Sequence, residues 1–172
     1  DDLTTTNKNK IQGYNPNVAY IDAIQLLANP DEYDVNVIAA PGMTAEGDPA
    51  ATSKLLQVCE DRGDCIAIVD PVLYGTAQST VISEASAENN SYGAMYWPWV
   101  QIPSNRTGKN VWVPASVVMP GIYAFSDSVS AEWYAPAGLN RGGIDTAIRA
   151  EKKLTHANRD LLYEGRVRSE EH

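Results

Sequence analysis

The chain reads as an α/β protein: one domain with an open sheet, mainly parallel or mixed, flanked by helices. Three observations predict this. Apolar patterns with helix and strand periods alternate along the first hundred residues. Cys65 to Val69 (CIAIV) is a nearly continuous apolar run, the mark of a strand covered on both faces. With 172 residues, 44% of them hydrophobic, the chain is long enough for one real core.

The elements follow in order. Asp1 to Lys10 is polar and aperiodic, and residues 1–15 read as a loose lead-in to a core at 16–165. Asn15-Pro16-Asn17 is a turn and cap signal. Val18, Ile21, Ile24, Leu26 and Leu27 then recur at helical spacing up to Ala28, and Asn29-Pro30 stops the helix. Tyr33 to Ala40 is a strand punctuated by Pro41-Gly42. Asp48 caps the next helix with Pro49 at its first position. Ala51, Leu55, Leu56 and Cys59 form its inner face, and Gly63 ends it. After the Cys65–Val69 strand, Asp70-Pro71 turns the chain. Thr76 to Ala87 is a weakly amphipathic helix through Val81, Ile82 and Ala85, broken by Asn89-Asn90.

Ser91 to Ala137 organises the rest. All four tryptophans lie here, so the densest core is expected here. Tyr92 to Ile102 reads as one buried strand, Pro103 to Asn110 as a polar loop and Val111 to Val113 as extended. Pro114 opens a helix running to about Ser128, with Val117, Val118, Gly121, Ile122 and Phe125 facing inward and Gly121 against the sheet. Ile144 to Ile148 reads as a short strand. Thr155 caps a last helix, His156 to Tyr163, stopped by Gly165. Residues 166–172 read as a tail left from cloning, on an excised piece of a longer protein.

Several function classes are disfavoured. A net charge of -9 without a basic cluster argues against nucleic acid or anionic membrane as partners. No apolar run reaches the roughly 18 residues of a membrane-spanning helix, and the first residues do not read as a signal peptide. Cys59 and Cys65 lack C-x-x-C spacing and read as buried thiols. No cofactor, metal or catalytic site is predicted. Gly42 to Gly47 offers no cation for a phosphate, and the two histidines, His156 and His172, cannot complete a zinc set or a nucleophile triad. Arg62-Gly63-Asp64 spells an adhesion tripeptide but falls at a helix stop. Asn89 and Asn105 head formal glycosylation sequons and read as polar loops.

Asp70 is the best enzymatic candidate, because ligands of open α/β sheets sit beyond the carboxyl ends of strands. The plainer reading is a turn and cap. The mixed block Glu151-Lys152-Lys153 and Arg159-Asp160 is a solvated face or sets register between neighbouring copies.

The run Tyr92-x-Ala94-x-Tyr96-x-Pro98-Trp99-Val100, then Val113-Pro114-Ala115-Ser116, Pro120-Gly121-x-Tyr123-Ala124-x-x-Asp127 and Trp133-x-Ala135-Pro136-Ala137, resembles the tail sheath proteins of contractile-tailed bacteriophages. Their "YYPW" strand, "PPS…AGvyAr.D" helix and "vwkAPAN" exit come in this order, and Leu154-Thr155 with Asp160-Leu161-Leu162 is similar to "LT..E.d.LN". Ser130-Ala131 and Arg141-Gly142-Gly143 depart from the pattern. The resemblance implies a structural subunit, not an enzyme, in the tail of the virion. Such subunits assemble in the host cytoplasm around an inner tube on a baseplate, and contract to drive the tube through the host envelope. In the family, terminal arms join neighbours by strand addition. Without those arms this chain is expected to be monomeric or weakly associating. The sheath of a type VI secretion system or a tailocin is the near alternative. An α/β hydrolase or nucleotide-binding enzyme using Asp70 and Asp127 is the alternative from another class.

Overall fold

The computed structural model describes residues 16–131, 133–138 and 140–169. The lead-in at 1–15, Asn15 of the turn signal, and Glu170 to His172 lie outside the described residues. The architecture is mixed α/β with two small open sheets. A parallel sheet has the strand order Val37–Thr44, Ile66–Asp70, Gly93–Trp97, Arg168–Ser169, and a three-stranded antiparallel sheet has the order Asn110–Val113, Val100–Pro103, Arg149–Ala150.

Helix α1 (Pro16–Leu26) leads into β1 (Val37–Thr44), then α2 (Pro49–Arg62), β2 (Ile66–Asp70), α3 (Gln78–Ala87) and β3 (Gly93–Trp97). Strand β2 pairs in parallel with β1 on one side and β3 on the other, so its apolar run is central as expected. Its side chains alternate between two cores. Ala67 and Val69 join one core with Leu55, Leu56 and Cys59 of α2 and Val81 of α3. Ile68 joins the other, with Met119 and Ile122. The sheet is therefore the middle of three layers. Asp48 and Pro49 stand at the start of α2, though the Asp48 side chain makes no capping bond, and Gly63 ends it at φ 72°.

Several expectations are corrected. The first strand begins later than Tyr33 and runs through Pro41-Gly42 to Thr44, with its register shifted between Ala39 and Thr44. Strand β1 is the sheet's edge, where Pro is tolerated, and Gly42 at φ 93° takes up the irregularity. Tyr92 to Ile102 is two strands. β3 stays in the parallel sheet, while β4 (Val100–Pro103) pairs with β5 (Asn110–Val113) and with β6 (Arg149–Ala150) in the other. Pro98, with no N–H to give a ladder, stands at the break; the Trp97–Pro98 bond is cis. Ile144 to Ile148 is not a strand: Ile144 is a buried plug in the second core, and the chain first bonds to β4 at Ile148, whose N–H donates to the Gln101 carbonyl just before Arg149–Ala150. The aromatic stretch is not uniformly core. Trp97 is buried, Trp99 and Trp112 are half-buried, and Trp133 is 82% exposed.

Helix α4 (Ala115–Val129) packs across β1, β2 and β3. Its buried face is Ala115, Ser116, Met119, Ile122 and Ser126, not the predicted Val117, Gly121 and Phe125. Gly121 faces solvent, and a Cβ there would meet nothing within 4 Å. Ala115, Ser116 and Ser126 are small enough to let the helix sit close to the sheet, so the inner face mixes small polar residues with Met119 and Ile122. Helix α5 (His156–Glu164) is capped as expected, the Thr155 hydroxyl accepting from the Asn158 N–H. Past it, Val167 is buried and β7 (Arg168–Ser169) pairs with Tyr96 and Trp97, so part of the stretch expected as a tail extends the sheet.

Gly93 is required by close packing, since a Cβ there would overlap Leu56 Cδ2. Gly93→Ala is expected to cost about 1–3 kcal/mol by overpacking. In a Leu56→Ala background most of that cost should vanish, as a double-mutant cycle in urea would show.

Candidate functional site

Asp70 ends β2 at the position where an open α/β sheet would offer a ligand site. The structure fills that position with protein. Asp70 is 2% exposed. Its Oδ1 accepts the Ser116 backbone N–H at 3.0 Å, and its Oδ2 accepts the Ser116 hydroxyl at 2.5 Å. Ser116 is the second residue of α4, whose N-cap is Pro114. A proline side chain has no acceptor for the free N–H groups of a first turn, so Asp70 supplies that acceptor from 46 residues away. Asp70 does act as a cap, but for a distant helix rather than for the segment after it.

The neighbouring backbone is closed in the same way. The Asp70 and Pro71 carbonyls accept from Ala45 and Glu46 at the end of β1. The Val72 carbonyl accepts the Trp99 indole N–H at 3.1 Å. Gly42 to Gly47 is therefore occupied in pairing with the β2 end, with Met43 and Thr44 buried and the Thr44 hydroxyl accepting from the Gly47 N–H.

Burial pushes the Asp70 carboxyl up to about 6, and the two bonds from Ser116 oppose this only in part. Asp127 does not join it. It is exposed, eleven residues beyond Ser116 in the same helix, which is about 16 Å at the helical rise. The pair invoked for an enzyme is not assembled.

The other candidates have structural partners too. Arg62 turns its buried guanidinium onto the Leu27 and Tyr33 carbonyls and pairs with Asp64 at 2.8 Å, which tethers the end of α2 to the loop after α1. That bond holds the Asp64 carboxyl below its ordinary value. An Arg engaged this way is not displayed as an adhesion tripeptide needs. Cys59 and Cys65 are both buried free thiols. Burial first, and then the neighbouring Cys65, push Cys59 up to about 12, so it stays protonated and unreactive near neutral pH. His156 is exposed beside Arg159. Asn89 accepts from Arg166, and Asn105 lies in the exposed β4–β5 turn. Among the described residues, no three His, Cys, Asp or Glu side chains gather as a metal site would need.

One groove of about 660 Å³ lies between β3, α4 and residues 135–138 and 142–143, lined by Met95, Tyr96, Met119, Ile122, Tyr123 and Arg166 among others. Asp70 does not line it, and the Tyr96 and Tyr123 hydroxyls are 2.6 Å apart and bonded to each other. The residue that sequence reasoning missed is Ser116. It stood in the sequence only as part of the Val113-Pro114-Ala115-Ser116 motif, and its other signal is its place two residues after Pro114, at a helix start lacking its own acceptor.

At the carboxyl end of β2 this mixed α/β domain thus holds its carboxylate against the first turn of α4. Residues 16–167 match the phage tail sheath protein central domain, and the chain belongs to that family. It is 24% identical over 164 residues to the tail sheath protein of Enterobacteria phage T4, covering 84% of this chain and 25% of that protein. It is 25% identical over 161 residues to that of Salmonella phage ViI, covering 89% of this chain and 25% of that protein. Against the tail sheath protein of Vibrio phage KVP40 it is 43% identical over 56 residues, 33% of this chain and 8% of that protein. The chain thus spans a quarter or less of the relatives it matches.

Two outcomes are expected at Asp70. Asp70→Ala should cost about 2–4 kcal/mol, through the lost cap and the stranded Ser116 groups. The pH dependence has a definite sign. The folded carboxyl binds its proton more tightly than at its ordinary 3.8, so its contribution is greatest below about pH 4 and is lost as pH rises through about 6. That loss is about 3 kcal/mol. Denaturant titrations from pH 4 to 7 should show it in the wild type and not in Asp70→Asn.

Proposed function

We propose that this chain is the central part of a contractile phage tail sheath subunit. Many copies surround an inner tube above a baseplate and shift together from an extended to a contracted arrangement. The observation that carries this reading is the match of residues 16–167 to the sheath central domain. The relatives described above are phage proteins, which favours a phage tail over a type VI secretion system or a tailocin.

The role is mechanical, with no turnover. A body that transmits force between neighbours must be rigid while its contacts have two discrete arrangements. The doubly covered sheet, the closed end of β2 and the tethered end of α2 suit such a body. An enzyme using Asp70 would need that carboxylate turned toward a ligand, and Ser116 holds both its oxygens.

Antibodies raised against the 172-residue chain test the role directly. On virions carrying this sequence, immunogold electron microscopy should label the tail shaft along its length in extended particles and the shortened shaft in contracted ones. Label confined to heads, fibres or free protein would overturn the sheath reading.

A further inference from the structure

Cys59 and Cys65 stand on either side of the turn that joins α2 to β2, and both are free thiols. Three sets of contacts fix that turn. The Gly63 N–H donates to the Cys59 carbonyl at 2.9 Å, and Gly63 reverses the chain at φ 72°. The Arg62 guanidinium is held on the Leu27 and Tyr33 carbonyls and on Asp64. The Ile66 N–H donates to the Asn36 carbonyl at 3.0 Å, so the chain enters the sheet immediately after Cys65. A helix closed by a left-handed glycine returns the residues that follow onto its own last turn. Cys65 accordingly packs in the same core as Cys59, with its thiol near enough to help push the Cys59 thiol up.

The cover over the pair is thin. Cys59 is fully buried and Cys65 nearly so, yet Glu60, Asp61, Gly63 and Asp64 between them are exposed. Opening that single turn admits a small reagent without unfolding the sheet. The Arg62 guanidinium also reaches Cys65, which puts a cation beside that sulfur, an arrangement that attends reactive thiols. Among the described residues no third ligand completes a metal site around the two sulfurs.

We propose that Cys59 and Cys65 are a dithiol pair that a low-molecular-weight disulfide converts to an intrachain disulfide across the α2–β2 turn. Cys65 begins the exchange: its proton goes to water, and its sulfur attacks the small disulfide, releasing one small thiolate and leaving a mixed disulfide. Cys59, held protonated, does not begin an exchange but finishes this one. Its sulfur attacks the Cys65 sulfur beside it, where proximity offsets a small thiolate fraction, and the second small thiolate leaves. The protein loses two electrons and two protons, and the small disulfide takes them up as two thiols. Reducing surroundings keep the pair open and oxidising ones close it. Closed, the bond staples the end of α2 to the start of the central strand. None of this draws on the sheath reading, so the two stand or fall separately.

The test treats the folded 172-residue chain with oxidised glutathione at about pH 8, then acidifies, unfolds and alkylates the remaining thiols. The expected product is lighter by the mass of two hydrogens and takes up no alkylating reagent. Trypsin cuts after Arg62, between the two cysteines, so the bond shows as residues 55–62 joined to residues 63–106 within one chain. The urea midpoint of the product should lie about 1 M above that of the reduced chain. Cys59→Ser should stop at a glutathione adduct on Cys65, and Cys65→Ser should form no adduct. The wild-type digest reads the bond directly even where a variant does not fold. A wild type that keeps its glutathione adduct, or links one chain to another, would overturn the proposal. So would thiols that stay open to alkylation both in the folded chain and after refolding with the same reagent. An oxidised chain that unfolds at lower urea than the reduced one would equally contradict the staple.

Discussion

The hydrogen bonds between Asp70 and Ser116 are the contact on which the rest of the arrangement depends. They join the carboxyl end of the central strand to the first turn of the helix lying across three strands. A carboxylate at a helix N-terminus meets unpaired N–H groups and the positive end of the helix dipole, so each side satisfies what the other lacks. Burial works against the charge, which is why the carboxyl is pushed up rather than down despite two donors. The contact thus fixes the position of α4 while keeping a partly protonated group inside the protein near neutral pH.

Around that contact, the end of the parallel sheet is sealed by backbone and side chains from distant parts of the chain. The end of β1 folds onto the Asp70 and Pro71 carbonyls, and Trp99 reaches Val72 from the start of the second sheet. On the outside, Tyr74 packs edge-on to Trp99 and against Trp112, with the Arg149 guanidinium over the Trp112 ring. In related layouts this end is left open as a crevice for a ligand. Here the same topology has been turned to joining the two sheets. A fold shared with enzymes says little about function until the groups at that end are inspected one by one.

Much of the fold was legible in the sequence where the deciding interactions are local. Pro49, the inner face at Ala51, Leu55, Leu56 and Cys59, and Gly63 declare α2, because helix starts, faces and stops are written within a few residues. The Cys65–Val69 run declares a central strand for the same reason. Legibility failed where two faces are both apolar. In α4 Val117, Phe125 and Val129 point outward while Ser116 and Ser126 are buried beside Met119 and Ile122, so hydrophobicity alone does not select the inner face. The aromatic run through Trp97-Pro98-Trp99 is continuous in the sequence, but the two sides of Pro98 belong to different sheets. Trp133 shows the limit of composition, since an aromatic on the surface reads the same as one in the core. The candidate site was half legible. Asp70 could be singled out from its place after the strand, but its partner lies 46 residues on and is fixed only by tertiary packing.

Titrating the Asp70 carboxyl carbon by NMR, in the unliganded chain, tests most directly whether the end of β2 is closed. A midpoint near 6 is expected, with the Ser116 amide resonance following the same curve, because one buried contact reports on both groups. A midpoint at the ordinary aspartate value of 3.8, with the Ser116 amide unmoved, would contradict it. The carboxylate would then stand in water at an open crevice, and the structural reading of this end of the sheet would fail.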